Sequence, residues 1–251
     1  HLIYGLSEGF KFKVIVTYNE LKAKEIYEDY RLYDKNVFIY PSKDIVFYSA
    51  DIHGRAIVRE RLQILKRIIE KQDTTIIMSL DGGMDRLLPL QHIKERIITV
   101  DMDTEIKLKD FEATLIRLGY ERQAQVEAPG DFAVRGGIID IFPLTEEVPY
   151  RIELWGDTID SIRTFDASSQ RSIEQVESLT IYPAAEIIPD EKQLALGLKK
   201  IEEEEKQYIK TLTQQNKTEE ANRIRGIIAE FKENLQVFQG SVSLESYIHY
   251  F

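Results

Sequence analysis

Apolar positions in the first third of the chain fall in short blocks separated by amphipathic segments, the pattern of a parallel sheet covered by helices. Val14-Ile15-Val16, Val37-Phe38-Ile39-Tyr40 and Thr75-Ile76-Ile77-Met78 predict buried strands. Between them, Leu21 to Tyr30 and Ala56 to Glu70 predict helices. The second of these sets Ile57, Val58, Leu62, Leu65, Ile68 and Ile69 on one stripe at helical spacing. Pro41 and Gly82-Gly83 act as punctuation. Ile97-Ile98-Thr99-Val100 opens a new stretch, and a helix follows over Leu108 to Leu118, where Phe111, Leu115 and Leu118 repeat at i, i+4, i+7 and Gly119 suits the C-cap.

From Gln125 to Pro183 the helical period is lost, and short β-rich runs are joined by Gly, Pro, Asp and Ser. Phe132 to Val134, Gly137 to Phe142, Tyr150 to Trp155 and Asp160 to Phe165 predict an antiparallel meander. After Pro183 the helical period returns: Leu194, Leu198, Ile201, Tyr208 and Leu212 form one stripe, and Ile224, Ile227, Ile228, Phe231, Leu235 and Phe238 another. Two long helices in an antiparallel pair are expected, with the run Glu202 to Glu205 on the solvated face of the first. The fold class is therefore α/β with an inserted α+β part: an α/β domain over 1–97, a small α+β domain over 98–183, and a helical segment over 184–251 that packs back on the first.

Composition narrows the function. With 33 Lys plus Arg against 43 Asp plus Glu, the formal net charge is −10, which repels a phosphate backbone wherever no local patch overrides the mean. The absence of cysteine removes disulfides, thiolate metal sites and a cysteine nucleophile. Every apolar run is broken by charge within a few residues, so no membrane span or signal segment is read, and a cytoplasmic protein is expected. The chain opens on His1 and stops in an apolar stretch at Tyr250-Phe251, and we read it as a fragment.

Candidate chemistry is sparse. Tyr4-Gly5-Leu6-Ser7 follows an apolar start, where a nucleotide-binding fold would place its phosphate loop, but the pattern G-x-x-x-x-G-K-[ST] is missing and an ordinary strand end is expected instead. The Asp81-Gly82-Gly83 turn and the carboxylates Asp157 and Asp160 lack the ligand number and spacing of a metal site and read as turn formers. The histidines His1, His53, His92 and His249 are scattered, with no nucleophile motif nearby. No catalytic residue, bound cofactor or metal is assigned.

The informative stretch is Gly130-Asp131-Phe132-Ala133-Val134-Arg135-Gly136-Gly137-Ile138-Ile139-Asp140-Ile141-Phe142-Pro143, followed by Tyr150-Arg151-Ile152-Glu153-Leu154-Trp155-Gly156-Asp157. The strand period of two puts Arg151, Glu153 and Trp155 on one face and Ile152 and Leu154 on the other. A guanidinium beside a large aromatic has the composition of a protein-interface hot spot. The alternative is a Glu153-paired Arg151 next to a partly covered Trp.

These runs, with the Ser168-Ser169-Gln170-Arg171-Ser172 segment, Tyr120-Glu121-Arg122 and Arg59-Glu60-Arg61-Leu62, closely resemble bacterial transcription-repair coupling factors and, more distantly, the excision-repair protein UvrB. The resemblance implies a degenerate helicase-like domain of P-loop type, an inserted UvrA-binding domain, and a helical segment that completes the first. UvrB carries an intact phosphate loop and a long DNA-clamping hairpin. Here the loop lacks Gly-Lys-Thr, the stretch Tyr40 to Arg59 is too short and too poor in aromatics for the hairpin, and there is no room for a further loop and helix between Ser7 and Val14.

In that family UvrA is met by an Arg before the paired glycines, an Arg opening the next strand and an aromatic four residues on. Those positions are Arg135, Arg151 and Trp155, the last with Trp in place of the usual Phe. The implied function is non-catalytic recruitment of UvrA in transcription-coupled nucleotide excision repair, by mimicry of the surface UvrB offers. RNA polymerase, DNA and ATP with magnesium belong to regions beyond Phe251. The competing reading is a UvrB-like ATP-dependent fragment that binds nucleotide or DNA itself.

Overall fold

A computed structural model describes residues 2–43, 51–85, 89–188 and 191–237 of the chain. In order, the elements are α1 (Leu2–Leu6), β1 (Phe12–Thr17), α2 (Glu20–Tyr30), β2 (Val37–Tyr40), α3 (Asp51–Ile69), β3 (Thr74–Ser79), α4 (Leu80–Met84), α5 (Leu90–Lys94), β4 (Ile98–Asp101) and α6 (Leu108–Arg117). They continue with β5 (Glu121–Arg122), β6 (Asp131–Arg135), β7 (Ile138–Ile141), β8 (Tyr150–Trp155), β9 (Thr158–Phe165), β10 (Ser172–Gln175), β11 (Ser178–Ile181), α7 (Glu191–Gln214) and α8 (Thr218–Val237). Two compact units divide the chain, His1–Glu186 and Ile187–Phe251. His1, residues 44–50 of the stretch Tyr40 to Arg59, Phe238 and His249 lie outside the described residues, as do the side chains of His53 and Leu235.

The three apolar blocks of the first third form a parallel sheet in the order β1-β3-β2, with Ile15 opposite Ile77 and Ile39 on its other side. At one end of that order, β1 is not the buried strand expected, since only one of its faces is packed and Val14 and Val16 are 57% and 56% exposed. Helix α2 starts where Asn19 caps it, its side chain accepting a 2.8 Å bond from the Lys22 amide. It buries Ala23 and Tyr30 against Val37 and Ile77. Tyr4-Gly5-Leu6-Ser7 is not a strand end: Tyr4 to Leu6 lie in α1, with Ser7 following it. That short helical turn docks on α2, where the Tyr4 and Tyr30 rings meet edge-on at 6.0 Å and the Ser7 and Tyr30 hydroxyls lie 3.2 Å apart.

Helix α3 is buried on two sides rather than one. Val58, Leu62 and Leu65 pack with Ile93, Leu144 and Tyr182, while Ile64 packs with Tyr40 and Ile76 of the parallel sheet. Its basic side chains reach the second half of the unit: Arg55 pairs with Glu121 and, at 3.1 Å, with Asp131, and Lys66 lies 2.5 Å from Glu146. The side chain of Arg61 is 0% exposed. Its Nε donates to Glu186 Oε1 at 2.7 Å and its Nη1 to Asp85 Oδ2 at 2.5 Å and the Pro41 carbonyl at 3.2 Å, while the guanidinium lies 4.3 Å from the centre of the Tyr40 ring. Lys43 pairs with the other Glu186 oxygen. Burial alone would lower the Arg61 pKa, but the facing Glu186 leads the interactions that hold it above the ordinary guanidinium value.

The segment that follows is framed by its own ends, because β4 pairs antiparallel with β11 and Ile98 faces Ile181. Between them, α6 buries Leu115 and ends before Gly119, and the meander forms a sheet in the order β10-β9-β8-β7-β6-β5. All its neighbouring pairs are antiparallel except β5 with β6. The stretch Arg135 to Trp155 thus lies in a different sheet from β3.

In the second unit α7 and α8 run antiparallel, since Lys232 reaches Glu202 at 3.2 Å and Glu205 at 3.5 Å. Glu205 of the acidic run is therefore largely covered by the partner helix, while Glu202 reaches the same lysine and stays half-exposed. Tyr208 and Ile227 also leave the expected stripes, at 54% and 46% exposed, and the buried positions of these helices include Ile201, Leu212, Ala221 and Phe231. A helix has two rows of neighbours, at i+3 and i+4, and the pairing selects the row through half-buried Glu205 and Ile209.

Candidate functional site

The expected docking residues sit on β6 and β8 of the six-stranded sheet, with β7 between them. Arg135 ends β6, and the paired glycines after it make the hairpin. Gly136 has φ +62°, in the left-handed region that L side chains avoid. Gly137 has a different requirement: a Cβ there would lie 2.9 Å from the Leu154 carbonyl oxygen, and its own carbonyl accepts the Leu154 amide at 2.8 Å. The hairpin can lie flat on β8 only without a side chain at that point. Gly137→Ala is therefore expected to cost about 1–2 kcal/mol of stability through forced backbone displacement. Chemical denaturation checks this, and an unchanged midpoint would contradict it.

One face of the sheet is apolar, with Ile139, Ile141, Ile152 and Ile162 each 0% exposed. The other carries a cross-strand row in which Ala133, Asp140, Arg151 and Arg163 are successive partners. The Asp140 side chain is fully buried. Arg151 holds it with a fork, Nε to Oδ1 at 2.7 Å and Nη2 to Oδ2 at 3.0 Å, and Arg135 adds Nη2 to Oδ2 at 2.5 Å. On its far side the Arg151 guanidinium lies 4.8 Å from the centre of the Phe165 ring, and its Nη1 donates to the Gln170 carbonyl at 3.4 Å. The hydrogen bonds to Asp140 hold the Arg151 pKa above its ordinary value, against the burial that works to lower it.

Asp140 thus brings Arg135 and Arg151 together, but they are not equivalent. The Arg135 side chain is 46% exposed and the Arg151 side chain only 15%. Trp155 stands at the end of β8, 83% exposed, beyond an irregularity where the register with β9 shifts between Glu153 and Leu154. A Glu153-paired Arg151 is not what forms: Glu153 accepts the Ser161 hydroxyl at 2.9 Å and Arg151 takes Asp140. Directly opposed residues on neighbouring strands have Cβ atoms about 5 Å apart, closer than i, i+2 positions on one strand, so Asp140 wins. Asp140 was missed because a lone Asp between isoleucines gives no sign of its partner. The available signal was polarity breaking an apolar strand.

Of the residues read as turn formers, Asp157 lies in the turn between β8 and β9, whereas Asp81, Gly82 and Gly83 fall in a helix and Asp160 in a strand. Gly82 and Gly83 lie in α4, whose first turn Ser79 caps by accepting the Gly82 amide at 3.2 Å. The Asp157 carbonyl accepts the Ile106 amide at 2.7 Å, and Asp160 is exposed in the β9 strand. Among the described residues no group of three or more His, Cys, Asp or Glu is placed to hold a metal ion, and no helix is long and apolar enough to cross a membrane.

Residues 98–187 match the family model of the UvrB interaction domain, and so include the whole six-stranded sheet. The chain is 30% identical over 239 residues to the transcription-repair-coupling factor of Bacillus subtilis, covering 94% of this chain and 20% of that protein. It is 34% identical over 184 residues to the coupling factor of Staphylococcus epidermidis, covering 72% of this chain and 16% of that protein. To the UvrABC system protein B of Fervidobacterium nodosum it is 32% identical over 219 residues, covering 85% of this chain and 32% of that protein. The chain therefore spans between a sixth and a third of the length of these relatives. With the domain match resting on the sheet that carries Arg135, Arg151 and Trp155, residues 98–187 carry the UvrB interaction domain, and most of the chain is homologous to transcription-repair coupling factors and UvrB.

Proposed function

We propose that this chain is a non-catalytic module that recruits UvrA in transcription-coupled nucleotide excision repair, offering it a surface like that of UvrB. The observation that carries this reading is the placement of Arg135, half-exposed and held from below, on the same sheet as a fully presented Trp155. A cation fixed by a buried carboxylate can offer its free donors to partner carboxylates, while the indole supplies apolar area. RNA polymerase and DNA would be met by parts of a longer parent protein, which would also supply ATP-driven translocation, and the setting is cytoplasmic. Within these residues the run G-x-x-x-x-G-K-[ST] does not occur, so the nucleotide-binding alternative has no phosphate cradle to support it.

Trp155 is the only tryptophan, so its emission reports directly on the proposed face. Adding purified UvrA should shift that emission to the blue, read as a difference against the Trp155→Phe variant in the same mixture. Trp155→Ala should weaken binding by about 1–2 kcal/mol and leave the denaturation midpoint unchanged, because so little of the ring is packed in the free chain. No saturable binding of UvrA would sink the reading. A rise in melting temperature with Mg-ATP would favour the enzymatic alternative.

A further inference from the structure

We infer that Asp140 is a positioning residue of this docking face, a buried carboxylate that makes Arg151 an internal strut and Arg135 the presented cation. The inference rests on the docking reading above and assigns the face a component that does not itself touch the partner.

A fully buried carboxylate must be matched by donors or it destabilises the fold. Asp140 receives three charge-assisted bonds from two guanidiniums, one from Arg135 and a fork from Arg151. Arg151 is then closed off on its other sides by the Phe165 ring and the Gln170 carbonyl. Arg135 is engaged by a described residue only through Nη2, which leaves the rest of its fork for a partner. Arg163 is paired with Arg151 in register on β9, so without the Asp140 charge two guanidiniums would face each other across neighbouring strands. Glu153, two residues along β8, is occupied by Ser161 and does not replace Asp140.

The sign of the effect separates positioning from charge. Asp140 reduces the net positive charge of the face, so a purely Coulombic role predicts that Asp140→Asn binds an acidic partner more tightly. A positioning role predicts the opposite, because a guanidinium that must be ordered on binding gives up the advantage of preorganisation.

The test is calorimetric titration of UvrA with wild type, Asp140→Asn, Asp140→Glu, Arg135→Ala and the Arg135→Ala/Asp140→Asn double variant, each first shown by circular dichroism to be folded. Asp140→Asn is expected to weaken binding by about tenfold, and that loss should disappear in the Arg135→Ala background, since coupled residues are not additive. Asp140→Glu keeps the charge and moves it by one methylene, and a smaller loss of about threefold is expected. It carries the test alone if the Asn variant does not fold, because a Glu variant that binds like wild type would overturn positioning. Tighter or unchanged binding by folded Asp140→Asn, or an equal loss in both backgrounds, would also overturn it. An Arg135→Ala variant with full affinity would instead remove the docking reading itself.

Discussion

Replacing Arg61 with Met should lower the stability of the His1–Glu186 unit by about 3–5 kcal/mol, the usual cost of removing one member of a buried ion pair. Methionine nearly keeps the volume, so the loss is electrostatic rather than a cavity. Arg61 and Lys43 balance Glu186 and Asp85, and the substitution leaves one uncompensated negative charge among groups that include a fully buried carboxylate. Arg61→Met/Glu186→Leu restores the balance and should recover most of the loss, since an ion pair exchanged for apolar side chains of similar size is often neutral. Urea denaturation followed by circular dichroism measures both. A single variant within about 1 kcal/mol of wild type would show that water already reaches the group.

The second large effect distinguishes the two arginines of the proposed docking face. Arg135→Ala and Arg151→Ala are each expected to weaken UvrA binding by about 2 kcal/mol, roughly 30-fold in Kd. Only Arg151→Ala should also lower stability, by about 1–3 kcal/mol, because it strips the fork from buried Asp140 and leaves a single bond from a half-exposed partner. From the strand period alone both positions would be expected to be neutral for folding. Calorimetry of binding paired with denaturation of each variant decides the matter. Equal stability of the two variants would mean that Asp140 finds water when Arg151 is removed.

Secondary structure was legible because periodicity reports local geometry. The three parallel strands, α2, α6 and the meander lie where the apolar pattern puts them, and the period of two correctly separated buried Ile152 from exposed Trp155. The Arg-Gly-Gly turn was visible as a motif, although its reason, the approach of the Leu154 carbonyl, belongs to another strand. Where pattern reading erred, it erred on segments whose state depends on a neighbour: the Tyr4-Gly5-Leu6 turn that docks on Tyr30, and the helical row that passes Tyr208 by.

The sequence by itself thus determined the α/β class and the change of period at the meander, while its resemblance to the coupling factors supplied the three residues expected to meet a partner. Only the tertiary structure decided what the charges do. Arg61 sits on an amphipathic helix, where an arginine ordinarily reaches solvent, yet it is buried because Glu186, 125 residues further on, returns to face it. Asp140 and Arg151 carry no local sign of each other, and their roles follow from which strands become neighbours. An apolar side chain is buried by any apolar surface, so its fate can be read from spacing. A charge is buried only where a counter-charge arrives from elsewhere in the fold, and no local pattern encodes that meeting.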